Sequence, residues 1–199
     1  MVTRPLRSDA ARNRVLLLAA AAEEFAAAGM NASIADIARR AGVGKGTVFR
    51  HFPTKDDLLA AIVLDRVESL TALAFSLASA DDAGQALFDF LAEAAGRQQQ
   101  LDFSFLRDSG DINDQLREAR ERLYLTIIAL VERAQAAGAV RADVTGLDVI
   151  LMMCVPAHVV SFVPGAAPDL WRRYLAMVID GLRPEGAHPL GPPSPVEAV

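Results

Sequence analysis

A chain of 199 residues can bury a good core, either as one compact body or as two small domains. Hydrophobic residues make up 52% of it and aromatics only 6%, so alanine and leucine do most of the filling, and the single cysteine, Cys154, excludes an intramolecular disulfide and fits a reducing cytoplasm. The formal net charge of −5 hides an asymmetry: residues 1–60 carry nine basic and six acidic side chains (net +3), residues 61–199 eleven and nineteen (net −8). An acidic body repels a polyanion, which leaves the basic N-terminal end to meet one.

In chain order, residues 1–7 form a short basic arm. Ser8 or Asp9 is predicted to cap a first helix whose apolar positions Val15, Leu18, Ala19, Ala22, Phe25 and Ala26 keep a helical period up to Gly29. After a turn at residues 30–32, Ser33 followed by Asp36 signals a helix start, because a side-chain oxygen can hold the free amides of the first turn. Ile34, Ile37, Ala38 and Ala41 then fall at i, i+3, i+4 and i+7, giving one apolar face on which small alanines allow close approach. Gly42 ends that helix, Val43 plugs the corner, and residues 44–49 are predicted as a second short helix with Val48 and Phe52 turned inward. Lys45, Gly46, Thr47, Phe49 and Arg50 are left mostly outward. Pro53 stops the element, and Thr54 with Asp57 starts the next helix with Lys55 in its first turn. Both lysines of the chain, Lys45 and Lys55, lie in this stretch.

A helix, a three-residue turn and a second short helix make the shape of a helix-turn-helix that reads DNA. Glycine-cornered helix pairs also occur in proteins that touch no nucleic acid, and the charge asymmetry favours the DNA reading.

Residues 13–63 resemble the DNA-binding domain of the TetR family of bacterial transcriptional regulators. The resemblance is carried by Ala22-x-x-x-Phe25-x-x-x-Gly29, by Ile34-Ala-Asp-Ile-Ala-Arg-Arg-Ala-Gly-Val, and by Lys45-Gly-Thr-Val-Phe-Arg-His-Phe-Pro-Thr-Lys-Asp-Asp-Leu-Leu. Trp171-Arg-Arg-Tyr-Leu-Ala with Asp180-Gly-Leu-Arg183 resembles the last helix of a subgroup of these regulators. The resemblance implies that Gly44, Lys45 and Gly46 meet base edges at the start of the recognition helix, and that Thr47, Phe49, His51 and Lys55, with Ser33 and Arg50, hold backbone phosphates. Two positions depart from the pattern. Phe49 lacks the hydroxyl of the usual tyrosine, and Gly44 stands where a capping serine or small side chain is common.

Beyond the head, a fourth helix over residues 54–79 is predicted to link it to the body, and the Asp81-Asp82-Ala-Gly sequence marks a break. Helices are expected over residues 85–100, 113–137, 144–162 and 168–182, with residues 101–112 mixed and a flexible Pro- and Gly-rich tail over 184–199. No convincing alternating stretch is present. The fold class is therefore all-α: a three-helix helix-turn-helix head (residues 8–60), joined by a fourth helix to a larger helical effector-binding and dimerisation body (residues 61–183). The polar, charged N-terminus predicts no signal peptide, and the uncharged run over 149–168 is too broken by Pro156, His158, Pro164 and Gly165 to form a membrane span of about twenty apolar residues.

In the penultimate helix, Val149-Ile-Leu-Met-Met-Cys-Val shows no polar face, and the last helix carries an apolar stripe. Leu151, Cys154, Trp171, Tyr174, Leu175, Val178 and Leu182 either build a four-helix dimer interface or fill the core of one chain; the resemblance implies a homodimer. It also implies a small-molecule effector, and Phe103, Phe105, Tyr124, Ile128, Met152, Met153 and His158 are candidate pocket residues, although such residues at helical spacing also serve as plain core. Asp102, Asp108, Asp111 and Asp114 lack the calcium-loop pattern, no metal or cofactor is expected, and no glycine-rich phosphate loop or nucleophile with a paired base suggests an enzyme. The expectation is a cytoplasmic homodimeric repressor that binds a palindromic double-stranded DNA operator and is released by an unknown small molecule. The alternative is a ligand-independent DNA-binding regulator controlled by a protein partner.

Overall fold

Strong helix formers dominate the chain, and among the described residues it folds into eight α-helices with no strand. These are α1 (Pro5–Ala28), α2 (Ile34–Arg40), α3 (Lys45–His51), α4 (Lys55–Leu77), α5 (Ala83–Gln100), α6 (Asp114–Ala136), α7 (Gly146–Ser161) and α8 (Leu170–Leu182), with one 3-10 turn (Gly29–Asn31) between α1 and α2. The structure, a computed structural model, describes residues 5–100, 114–163, 165–185 and 188–192. Residues 101–112, which hold Phe103, Phe105 and three of the four aspartates noted above, lie outside them. No described helix is long and apolar enough to cross a membrane.

The chain divides into two compact units. One runs to Glu68 and also takes in the start of α6 as far as Ala119, and the other holds Ser69–Gln99 and everything from Arg120. Helix α4 carries the chain from the first to the second.

The core of the first unit is built by α1 to α4. Leu17, Ala21 and Phe25 of α1 meet Ile37 and Ala38 of α2, Val48 and Phe52 around α3, and Leu58 and Ile62 of α4. The expected stripe on α1 needs correction in phase. Leu18, Ala22 and Phe25 are buried, but Val15, Ala19 and Ala26 are exposed, and Leu17 and Ala21 take the inward positions. Residues 15–22 are apolar without a break, so the pattern carries no phase, and packing against α2 and α4 decides which side faces in.

The second unit gathers Leu87, Phe90 and Leu91 of α5, Ile127, Leu130 and Val131 of α6, Val149 of α7, and Trp171, Leu175 and Leu182 of α8. Two glycines permit close helix approach here. A Cβ on Gly146 would sit 2.5 Å from Ile128 Cγ1, and one on Gly84 would overlap the Ala139 methyl. Helix α7 opens on a capping box that the sequence reading did not single out. Thr145 Oγ1 accepts the Asp148 N–H at 3.2 Å, and the Asp148 carboxylate accepts the Thr145 N–H at 2.7 Å. Gln135 Nε2 donates to the carbonyls of Arg141 and Val144, at 3.0 and 2.8 Å, and so ties the end of α6 to the approach to α7.

Burial also corrects part of the expected dimer set. Trp171, Leu175 and Leu182 lie in the core of a single chain, where the Trp171 ring reaches toward Gly96 of α5, so their side chains are already occupied. Leu151 and Cys154 are exposed, and Tyr174 and Val178 are half-buried. In the tail, the Asp143 carboxylate accepts the Leu190 N–H at 2.9 Å and Arg141 donates to the His188 carbonyl. Residues 188–192 are therefore anchored at both points rather than free.

Candidate nucleic-acid interface

The site is built from the start of α2 onward. Ser33 is the N-cap: its Oγ accepts the Asp36 N–H at 3.1 Å and donates to the Asp36 carboxylate at 2.6 Å. Arg39 adds an ion pair to Asp36 at 2.5 Å. The Ser33 hydroxyl first, and Arg39 second, hold the Asp36 carboxyl below its ordinary value of 3.8.

The other end of α2 closes in a Schellman turn. Val43 N–H donates to the Ala38 carbonyl (3.0 Å) and Gly42 N–H to the Arg39 carbonyl (3.2 Å), with Gly42 at φ +69°, a region that disfavours any residue with a Cβ. Val43 packs against the core of the first unit, as its place at the corner implied. Gly44 then takes an extended conformation as the N-cap of α3. Having no side chain to cap with, it closes the first turn through its carbonyl, which accepts the Thr47 N–H at 2.9 Å.

Val48 and Phe52 are buried beneath α3, and this fixes its roll. Lys45, Gly46, Phe49 and Arg50 face solvent, with Thr47 and His51 half-buried at the flanks. Phe49 is 49% exposed on the outward side of α3. Among the described residues Lys45 and Arg50 make no ion pair, although the charge of Lys45 reaches Asp36. Other cations of the first unit are engaged: Arg40 with Glu23 and Glu24, and Arg14 over the Phe52 ring at 5.2 Å. Among the described residues, α3 thus presents two cations without an ion pair, Lys45 and Arg50, and Arg12 of α1 is also exposed.

Lys55 has a second occupation that its place in the sequence did not reveal. Its Nζ donates to the carbonyl of Met30, the middle residue of the 3-10 turn, and lies 5.3 Å from the centre of the Phe25 ring. Thr54 and Asp57 cap α4 reciprocally, as expected: Asp57 N–H to Thr54 Oγ1 and Thr54 N–H to the Asp57 carboxylate, both at 3.0 Å.

The residues considered for an effector pocket have dissimilar surroundings. Tyr124, Met152 and His158 are exposed, with the His158 ring edge-on to Phe162 at 5.1 Å. Ile128 packs at Gly146, and Met153 against the core of the second unit.

A short exposed helix bearing Lys45 and Arg50, launched from a glycine corner on a small helical core, has the form of a helix-turn-helix that reads DNA. Comparison with known proteins gives the lineage. Residues 17–62 match the model of bacterial regulatory proteins of the tetR family, and residues 82–184 that of the SbtR-like transcriptional regulator C-terminal domain. A TetR transcription regulatory protein from Mycobacterium vanbaalenii, known as a crystal structure, is 38% identical; the match covers 90% of this chain and 99% of that one, with a TM-score of 0.68. The HTH-type transcriptional repressor Rv3405c of Mycobacterium tuberculosis is 47% identical over 72 residues, 36% of this chain, and the match spans only 38% of that relative. The transcriptional regulator FadR from Bacillus subtilis, crystallised in complex with stearoyl-CoA, shares the fold at 15% identity, with a TM-score of 0.65 over 85% of this chain and 99% of that one. The chain belongs to the TetR family of bacterial transcriptional regulators, DNA-binding proteins rather than enzymes.

Proposed function

We propose that the protein is a repressor that binds a palindromic operator as a homodimer and is released when a small molecule enters its C-terminal body. The observation that carries this reading is α3, whose outward face combines Lys45 and Arg50, without an ion pair among the described residues, with Gly46, where the backbone can approach a base edge closely. Gly44, Lys45 and Gly46 meet bases; Ser33, Thr47, Phe49, Arg50, His51 and Lys55 contact the phosphate backbone. Phe49 does so only through packing on sugar and phosphate, because it has no hydroxyl to donate.

Dimerisation follows from the need to present two such helices one DNA turn apart, about 34–36 Å. The face that remains available on α7 and α8 includes Leu151 (56% exposed) and Met177 (53%), with Met152 and Cys154 beside Leu151 on α7. Replacing Leu151 and Met177 together by glutamate should give a folded monomer in sedimentation, with operator affinity reduced by more than tenfold; an unchanged dimer would place the interface elsewhere.

Repression is supported by the mycobacterial repressor that resembles the head, and an apolar acyl effector by the FadR complex. The coupling is a population shift: a ligand that favours a dimer with mis-spaced recognition helices lowers operator affinity by its differential affinity for that state. Thermal-shift screening of acyl and other apolar small molecules, followed by operator release measured by anisotropy, tests it. Binders that never change operator affinity would refute the coupling.

A further inference from the structure

Along the seam between α1 and α2, Leu17, Ala21 and Phe25 of α1 share the core of the first unit with Ile37 and Ala38 of α2. A directional contact sits at the far end of this seam. Arg40, the last residue of α2, donates from Nη1 to Glu23 at 2.8 Å and from Nε to Glu24 at 2.7 Å, so one guanidinium spans two adjacent carboxylates of α1. The Glu24 side chain is only 15% exposed, whereas Arg40 and Glu23 are about half in solvent. Immediately after Arg40 come the Schellman turn and Gly44, the N-cap of α3. Whatever fixes the end of α2 on α1 therefore fixes where α3 begins.

We infer that Arg40, Glu23 and Glu24 form a clamp that sets the orientation of the recognition helix, with Arg40 a positioning residue for operator reading rather than a phosphate contact. This rests on the operator-binding reading above. The two roles predict opposite behaviour for the glutamates. If Arg40 held a phosphate, removing two nearby negative charges would strengthen binding to every DNA alike. A clamp, once broken from either side, loses discrimination: generic attraction persists while base edges are missed. Arg40→Lys is the conservative variant, since a point-like ammonium cannot span both carboxylates in a planar fork.

The test is the ratio of operator to non-operator affinity across a salt series, for the full-length wild type, Arg40→Gln, Arg40→Lys, the Glu23→Gln/Glu24→Gln pair and the triple variant, with thermal melts confirming folding. The clamp predicts that Arg40→Gln and the glutamine pair each lower the ratio by about three- to tenfold, with an unchanged salt slope. The triple variant should be no worse than either, and Arg40→Lys intermediate. An unchanged ratio in the glutamine pair, or a salt slope reduced by Arg40→Gln, would overturn the clamp. A wild type that shows no discrimination at all would instead refute the operator reading beneath it. If Arg40→Gln fails to fold, Arg40→Lys and the glutamine pair still decide the matter.

Discussion

Side-chain roles in the head separate by what each group already touches. Lys45 touches no carboxylate among the described residues and stands at the start of α3, so its charge is available to a base edge. Lys45→Ala should cost about 1–3 kcal/mol of discrimination and relax base preference at one operator position, read by competition with single-base variants of the site. Equal weakening on all sequences would remove Lys45 from base reading. His51→Ala should weaken all sequences alike. Lys55→Ala should do so too and flatten the salt slope by about one, but it should also lower the thermal midpoint, because Lys55 holds the Met30 carbonyl and the Phe25 ring. Loss of affinity without loss of stability would make Lys55 a phosphate contact alone. The sequence shows which residues are basic but not which of them are spent. Arg39 pairs with Asp36 only three residues away, whereas the partners of Arg40 and Lys55 lie 16 to 25 positions off and appear only when α1, α2 and α4 pack.

Helix boundaries were legible at three caps but not at the first, because α1 already begins at Pro5 and Ser8 and Asp9, expected to cap it, lie inside it. Ser33 with Asp36, Gly42, and Thr54 with Asp57 each mark a local hydrogen-bond pattern that any tertiary setting preserves. Roll was legible only where polar residues break the apolar run. Val48 and Phe52 fix α3 amid Thr47, Arg50 and His51, while the unbroken apolar run over residues 15–22 of α1 gave no such guide and Val15 was expected inside. The apolar stripe of the last helix was legible, but a stripe does not say whether Trp171 meets its own chain's core or a second copy. Two substitutions test the element-scale account by chemical unfolding. Gly42→Ala forces a Cβ into the left-handed region and should cost about 1–2 kcal/mol, whereas a neutral effect would mean that the corner is not closed as described. Gly146→Ala drives a methyl into Ile128, and overpacking there should cost about 1–3 kcal/mol. Shortening Ile128 to valine in the same chain should recover part of that loss, and no recovery would contradict the contact.

At the scale of the whole molecule, a basic head on an acidic body orients the protein toward DNA, and carboxylates set how it responds to acid. The Arg141 guanidinium first, and the Leu190 N–H second, hold the Asp143 carboxyl far below its ordinary value of 3.8; Asp36 is also lowered, by Ser33 and Arg39. Because both folded-state values are depressed, their stabilising contribution is complete above the ordinary carboxylate range and is lost as pH falls through it toward the folded-state values. Thermal midpoints should therefore drop below about pH 4. Asp143→Asn should lower the neutral midpoint and flatten that acid limb, and an acid limb identical to wild type would deny Asp143 the anchoring of the tail.

The central claim is that α3 reads a two-fold operator. Selection of bound sequences from a random double-stranded pool, with the purified full-length chain at moderate salt, tests it most directly. The expected result is an enriched inverted repeat with half-site centres 10–10.5 base pairs, or a multiple of that, apart, whose preference relaxes at one position of each half-site when Lys45 is replaced. Binding that is weak, salt-sensitive and enriches no sequence would contradict it, leaving a basic head that attracts DNA without reading it.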